Sequence, residues 1–336
     1  MRAAKLIEPG RMAVVDVPRP VPGPGDLLVR VEACGICGSD RHMFRGEYPT
    51  AWPVTLGHEF AGIVEATGPG VAGFTPGDRV TGDPNMACGE CRFCRENRPN
   101  LCETLTAIGV QRDGGFAEYV LVPARQAAKL PAGLNPLHGA FTEPVSCCLH
   151  AIDVARIPKG GSVLIIGGGV IGLLMVQLCL LAGAGMVVLS TRQAPRRDLA
   201  LALGATHAID PGTGDTAFAA ALPDGADVVI ECAGVPETFE QSLRLARRGG
   251  TVVVFGVVAQ GAAATVLPFD LLTRELRIES AWLNPLTVPR AAELIASGAL
   301  ALDRLITRTI SLDEVPAAIG RAPEFGEIKL VMRCST

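Results

Sequence analysis

Aromatic residues are scarce in this 336-residue chain: they make up 4% of it, with two tryptophans and two tyrosines. Its cores must therefore be built from Val, Leu, Ile and Ala. A composition that is 49% apolar supplies enough surface to bury and argues against disorder. There is no long basic run and the net charge is −4, so the electrostatic footprint of a nucleic-acid-binding protein is missing. The first residues, MRAAKLIEPG, lack the apolar run of roughly 7–15 residues that marks a signal peptide. Without an export signal, the eleven cysteines read as thiols and metal ligands rather than a disulfide framework, and the expected compartment is the cytoplasm. No internal repeat or low-complexity segment is visible, and the length suggests two domains.

A second absence is local. No residue is charged from Gly160 to Ser190, GGSVLIIGGGVIGLLMVQLCLLAGAGMVVLS. Such a stretch exceeds the roughly 20 apolar residues that span a bilayer, and no membrane helix would object to small residues at Gly168 and Gly172. The same stretch also reads as strand (Val163–Ile166), glycine turn, helix (about Val170–Ala182) and strand (Met186–Leu189). Gly167-Gly168-Gly169-Val170-Ile171-Gly172 is a G-x-G-x-x-G placed after a strand and opening a helix, the context that gives this otherwise weak motif its meaning. Gly167 permits the tight turn, Gly169 lets a pyrophosphate come close, and Gly172 lets the helix lie on the sheet. Val170 and Ile171 begin the helix whose free N–H groups and positive dipole end favour phosphate. Three consecutive glycines would weaken a membrane span at its middle, and no basic cluster flanks them. The nucleotide-binding reading is therefore preferred. A parallel strand covered on both faces needs no charge.

A third absence concerns the acid expected about 20 residues past the glycines, which in an NAD site binds the ribose 2′-hydroxyl. Ser190-Thr191-Arg192 stands there instead, with Arg196 and Arg197 one turn on. Hydroxyls and a guanidinium suit a 2′-phosphate, which an acid would repel. NADP is thus favoured over NAD; the plain alternative is that Arg192 ends a strand in solvent.

The chain before this stretch is β-rich. Asp26–Glu32 alternates as a half-buried strand, Phe60–Gly68 alternates likewise, and Pro76–Val80 turns into another. Cys34 and Cys37 form a C-x-x-C that suits a redox pair, a zinc half-site or two unrelated thiols. Cys37-x-Ser39-x-x-His42 becomes more pointed beside Gly57-His58-Glu59, since Cys, His and Glu are all ordinary zinc ligands. Cys88, Cys91, Cys94 and Cys102 are spaced C-x2-C-x2-C-x7-C. Four thiols in one polar loop suit a closed tetrahedral structural zinc site. An iron–sulfur cluster is the rival, and four free surface thiols would be an oxidation liability. After the glycine stretch, Asp227–Cys232, Thr251–Val257 and Leu276–Ala281 read as strands, Phe239–Leu245 and Arg290–Ser297 as helices, with Gly249-Gly250 ending the first. Ile328–Met332 resembles a closing strand.

Taken together, Cys37-Gly38-Ser39-Asp40 with His42, Gly57-His58-Glu59, the four-cysteine lobe, Gly114–Tyr119, Thr142-Glu143-Pro144 and the glycine turn resemble the zinc-dependent medium-chain alcohol dehydrogenase family, in its sorbitol and polyol dehydrogenase-like branch, over nearly the whole chain. The resemblance implies an α/β fold in which a Rossmann doubly wound parallel sheet is inserted into a β-rich GroES-like catalytic domain. Expected boundaries are 1–146 for the catalytic domain, with the cysteine lobe at about 85–104, then 147–284 for the Rossmann domain and 285–336 for the return. It further implies a catalytic zinc at Cys37, His58 and Glu59, a structural zinc at Cys88, Cys91, Cys94 and Cys102, and a proton relay through Ser39 and His42. Many members place a third Cys where this chain has Glu143, so either Glu59 or Glu143 is the carboxylate on the metal. The activity implied is hydride transfer between NAD(P), NADP favoured, and a secondary alcohol, polyol or sugar-derived hydroxyl or ketone. A dinucleotide-binding cofactor set of Gly167, Gly169, Val170, Ile171, Gly172, Ser190, Thr191, Arg192 and Arg197 goes with it. The alternatives are an NAD-linked amino-alcohol or hydroxy-amino-acid dehydrogenase, or a catalytically silent nucleotide-binding protein on the same fold. The expected partners are a small alcohol or ketone and further copies of the chain, as a homotetramer or homodimer, with no nucleic acid or membrane.

Overall fold

The computed structural model describes residues 1–334. The chain forms two compact units, one made of Met1–Ser146 together with the chain from Leu283 onward, the other of Cys147–Trp282.

The first unit is β-rich and organised on the strand Asp26–Gly35, DLLVRVEACG, whose inward residues are aliphatic. Glu59–Thr67, Tyr119–Pro123 and Lys329–Arg333 all pair with it antiparallel. Arg79–Gly82 and Ala127–Lys129 extend the sheet on one side, and Ile306–Ile310 runs parallel to Lys329–Arg333 on the other. Phe60 and Phe116 are among the largest fully buried side chains, and around them the core is built of Val, Leu and Ile. The register sets Gly35 opposite Glu59 on one neighbour and Val331 on the other. A side chain at Gly35 would overlap Glu59 Oε2 and come within 2.8 Å of Lys329 Cε, so the missing Cβ is what lets those two residues meet.

The second unit is a six-stranded parallel sheet with helices between its strands. Its spatial order is His207–Ile209, Met186–Ser190, Ser162–Ile166, Ala226–Glu231, Ala246–Val254, Arg277–Ser280. The chain winds outward from Ser162–Ile166 in one direction, then returns to Ala226–Glu231 and winds outward in the other. The switch point between these two strands is where a doubly wound sheet leaves a crevice for its ligand, at the strands' carboxyl ends. The expected Rossmann architecture is present. The central strands Ser162–Ile166 and Met186–Ser190 are uncharged and buried almost throughout, as two-sided cover requires.

Two details differ from the pattern in the sequence. Gly249-Gly250 does not separate a helix from a strand: both lie within the strand Ala246–Val254, where Ala226 pairs with Ala246 but Val228 with Thr251. The extra residues form a bulge, and Gly249 turns it at φ +71°, a conformation glycine adopts without strain. The stretch Leu130 to Leu137 reads in the sequence as a loop, yet a helical turn, Pro136–Gly139, starts within it, capped by the Asn135 side chain. The uncharged stretch is a βαβ unit, Ser162–Ile166, Val170–Leu181 and Met186–Ser190, and among the described residues no helix is long and apolar enough to cross a membrane.

Candidate metal centres and nucleotide-binding turn

Cys37, His58 and Glu59 come together. One ligand atom from each lies within 4.8 Å of the others. Cys37 is the N-cap of the helix Gly38–Phe44, and His58 and Glu59 stand at the start of the strand Glu59–Thr67. Gly57, at φ +97°, turns the chain into that strand, and a Cβ there would lie 2.7 Å from the Phe116 amide and 2.9 Å from Cys34 Sγ.

Two further residues hold this trio. Asp40 is fully buried; its Oδ2 accepts the Cys37 amide at 2.8 Å and its Oδ1 faces His58 Nδ1 at 3.6 Å. Burial pushes the Asp40 carboxyl above its ordinary range, against the pull of His58. Lys329 is also buried; its Nζ donates to Ile36 O at 2.9 Å and pairs with Glu59 Oε2. Burial draws its proton off, yet Glu59 and Cys37 outweigh that and raise the amine. Asp40 sits three residues after Cys37 in the same motif, so its carboxylate was a readable signal. Lys329 lies 270 residues away from Glu59 in sequence and had none.

The electrostatics fit a cation. Burial pushes the His58 imidazole down, but Asp40, Cys37 and Glu143 overcome this and lift it well above the histidine range. The acidic groups thus favour positive charge at the ring, a setting that suits a divalent metal bound by soft and borderline donors. Glu143 is buried in the first turn of the helix Thr142–Ala155 and acts on His58 electrostatically, but the close set is the trio with Glu59. Ser39 Oγ lies 3.3 Å from His58 Nε2. His42 is one turn further along the same helix, half-exposed, with Nδ1 2.8 Å from Glu47 Oε2. Burial, then the Cys37 charge, raises the Tyr48 phenol.

The four cysteines form a second cluster, again with all ligand atoms within 4.8 Å. Cys91 and Cys94 sulfurs are 3.5 Å apart, Cys88 and Cys94 3.9 Å. A tetrahedron of sulfurs at the usual Zn–S length has an edge of about 3.8 Å. Backbone amides of Glu90 and Cys91 donate to Cys88 and bring its thiol down to about 6. Burial and the neighbouring sulfurs push Cys94 up to about 12.

In the second unit Gly167, at φ +112°, turns the chain from Ser162–Ile166 into the helix Val170–Leu181. A Cβ at Gly172 would overlap Gly167 O, so that glycine serves close packing of helix on turn. A Cβ at Gly169 would meet nothing within 4 Å. Only something outside the chain would be displaced, which suits a phosphate over the amides of Val170, Ile171 and Gly172 that a helix cannot satisfy itself. Ser190 ends its strand buried, and its Oγ has no hydrogen-bond partner among the described residues. Thr191 is buried against Gly168, while Arg192 is exposed. Arg197 is already committed: it donates to Thr191 O at 2.8 Å and Arg192 O at 2.9 Å and pairs with Asp210 at 3.0 Å. It braces the Ser190–Arg192 turn rather than pointing away from the protein.

Comparison with known proteins agrees with this geometry. Residues 23–132 match the alcohol dehydrogenase GroES-like domain and residues 170–297 the zinc-binding dehydrogenase domain. A sorbitol dehydrogenase of Halalkalibacterium halodurans is 40% identical over 75% of this chain and 75% of its own length. A D-arabitol-phosphate dehydrogenase of Enterococcus avium is 35% identical, with 99% and 97% covered. The crystal structure of a candidate zinc-binding dehydrogenase from Sinorhizobium meliloti 1021, bound to NADP, superposes with a TM-score of 0.97 at 54% identity, covering 99% of this chain and 98% of that one.

Proposed function

The chain belongs to the zinc-dependent medium-chain alcohol dehydrogenase family, which makes it an oxidoreductase moving hydride on alcohol or polyol substrates, and we propose that it does so with NADP on a secondary alcohol, polyol or sugar-derived hydroxyl, using one catalytic and one structural zinc. The observation that carries this reading is the convergence of Cys37 with the buried His58 and Glu59.

In this reading Cys37, His58 and Glu59 hold the catalytic zinc, with Glu143, whose charge acts on His58, as the alternative carboxylate, and Cys88, Cys91, Cys94 and Cys102 hold the structural one. Zinc supplies a Lewis acid that favours ionisation of a bound hydroxyl or polarises a ketone, and the nicotinamide supplies the hydride acceptor or donor. The Asp40 carboxylate stands on the Nδ1 side of the His58 ring and supports positive charge there. Lys329 offsets the charge of Glu59 and limits how far its carboxylate swings. Ser39 takes the substrate's hydroxyl proton, and His42, anchored by Glu47, carries it toward solvent; an imidazole exchanges protons readily near neutral pH. In the reducing direction the same groups return the proton.

Gly167, Gly169, Val170, Ile171 and Gly172 seat the pyrophosphate. The 2′-phosphate is bound by Ser190, Thr191 and Arg192, with Arg197 bracing their turn. Support comes from the absence of an acid at that position and from the NADP in the Sinorhizobium meliloti structure. Eleven free cysteines fit the reducing cytoplasm, and assembly as a homodimer or homotetramer rests on the family resemblance. The test is a panel of short polyols, sugars, simple secondary alcohols and hydroxy-amino acids, each assayed with NADP and NAD. Turnover of polyols with NADP supports the reading; turnover confined to hydroxy-amino acids with NAD rejects it.

A further inference from the structure

Glu231 ends the strand Ala226–Glu231 beside the switch point of the parallel sheet and is fully buried. Its Oε1 accepts from the Ala233 amide at 2.7 Å and the Gly234 amide at 2.9 Å, and faces the Thr238 hydroxyl at 2.7 Å, whose one proton it shares with Val235 O at 2.8 Å. Its Oε2 has no hydrogen-bond partner among the described residues. The main-chain carbonyl of the same residue accepts from Phe255 at 3.1 Å and Gly256 at 2.8 Å. One residue thus holds the two segments that leave the adjacent strands at their carboxyl ends.

These segments interlock with the glycine turn. The Cys232 amide donates to Ile166 O at 2.8 Å, and a Cβ on Gly167 would lie 2.9 Å from the Ala233 amide nitrogen. On the other side, a Cβ on Gly256 would lie 2.7 Å from Glu231 Oε2, and one on Gly234, at φ +72°, 2.6 Å from Val257 O. The packing leaves no room for a side chain at any of these points. Ligands of doubly wound sheets lie outside the carboxyl ends at the switch point, so the 232–235 segment forms a wall of that crevice.

We propose that Glu231 is a positioning residue for the dinucleotide: by clamping Ala233, Gly234 and Thr238 it fixes the wall that faces the glycine turn, and it does so through the acceptor geometry of one oxygen. A buried carboxylate with a bare second oxygen is costly, and a glutamine could serve the same three donors at lower cost, which makes charge and geometry separable. The inference rests on the reading that the glycine turn holds a dinucleotide, and it is independent of which one.

The test compares Glu231→Ala, Glu231→Gln, Thr238→Val and Gly256→Ala in the zinc-loaded enzyme, measuring nucleotide Kd by fluorescence titration together with KM and kcat. Glu231→Ala, which frees three donors, is expected to raise Kd and KM for NADP and NAD alike by about tenfold or more. Its kcat at saturating nucleotide and its alcohol KM should stay within about threefold of wild type, and Glu231→Gln should restore nucleotide KM to within about threefold. Thr238→Val and Gly256→Ala should weaken both nucleotides in the same direction, which keeps the test open if Glu231→Ala fails to fold. Folded variants with lowered melting temperature and unchanged nucleotide Kd would overturn the proposal in favour of simple support of the fold. A wild-type protein that binds neither nucleotide would overturn the dinucleotide reading and this inference together; a wild type that binds while all four variants bind equally well would overturn this inference alone.

Discussion

Asp40 Oδ1 lies 3.6 Å from His58 Nδ1 while Asp40 Oδ2 accepts the Cys37 amide at 2.8 Å. One buried carboxylate therefore caps the start of the helix bearing Cys37 and places its second oxygen opposite the His58 ring. Partners of this kind orient metal-binding histidines and raise their basicity. Asp40→Asn is expected to weaken zinc at the trio by roughly 10–100-fold, while the four-cysteine cluster keeps its metal. Competition with a chelator of known affinity measures this; equal zinc retention in the variant would show that Asp40 does not support the metal.

Cys91→Ser takes one sulfur from the second cluster. Metal binding at such a site is coupled to local folding, so the melting temperature should fall by about 5 °C or more, and zinc content should fall by one per chain. A melting curve that overlays the wild type would show that the cluster does not support the fold through a metal.

Arg192 is exposed beside the buried Ser190 and Thr191. Arg192→Ala should lower kcat/KM for NADP by about tenfold or more, the worth of a charge-assisted contact, and leave NAD within about twofold. Steady-state kinetics with both nucleotides decides: equal losses would show that Arg192 does not recognise the 2′-phosphate.

Asp83 gives a pH prediction. Burial pushes its carboxyl up to about 6, although the Asn85 amide and Asn284 side chain donate to it. Its folded pKa lies above the unfolded value, so between roughly pH 4 and 6 the native state holds a proton that the unfolded chain has lost. Stability from this group is therefore highest at the acid end of that window and is lost as pH rises through 6. Asp83→Asn, which keeps an acceptor oxygen, should raise stability at pH 7.5 by on the order of 2 kcal/mol and change it little at pH 4. Urea unfolding at the two pH values checks this; a variant less stable at pH 7.5 would contradict it.

Much of the fold was legible because it depends on local, repetitive signals. Buried parallel strands demand charge-free runs, and Val163–Ile166 and Met186–Leu189 lie within strands of the observed sheet. The glycine turn between them fell where the strand-to-helix change required it. Cysteine spacing of two residues is equally local, and Cys88, Cys91, Cys94 and Cys102 do converge. The missing parts were non-local. Lys329 meets Glu59 only because two antiparallel ladders flank Gly35, and no window of sequence contains that register. Arg197 looked like a phosphate ligand by its place in the chain, but its pairing with Asp210 depends on the neighbouring strand His207–Ile209. Glu231 falls inside the run Asp227–Cys232 that reads as a strand, and its donors come from a tight turn of the backbone that composition does not reveal. Gly249-Gly250 looked like a stop and proved to be a bulge inside a strand.

The most direct measurement is zinc content per chain, with activity, for purified wild type and Cys37→Ser. Two zinc are expected in the wild type and one in the variant, with a near-wild-type melting curve and turnover reduced to background. A Cys37→Ser enzyme that keeps two zinc and its turnover would contradict the claim that Cys37, His58 and Glu59 hold the metal that does the chemistry.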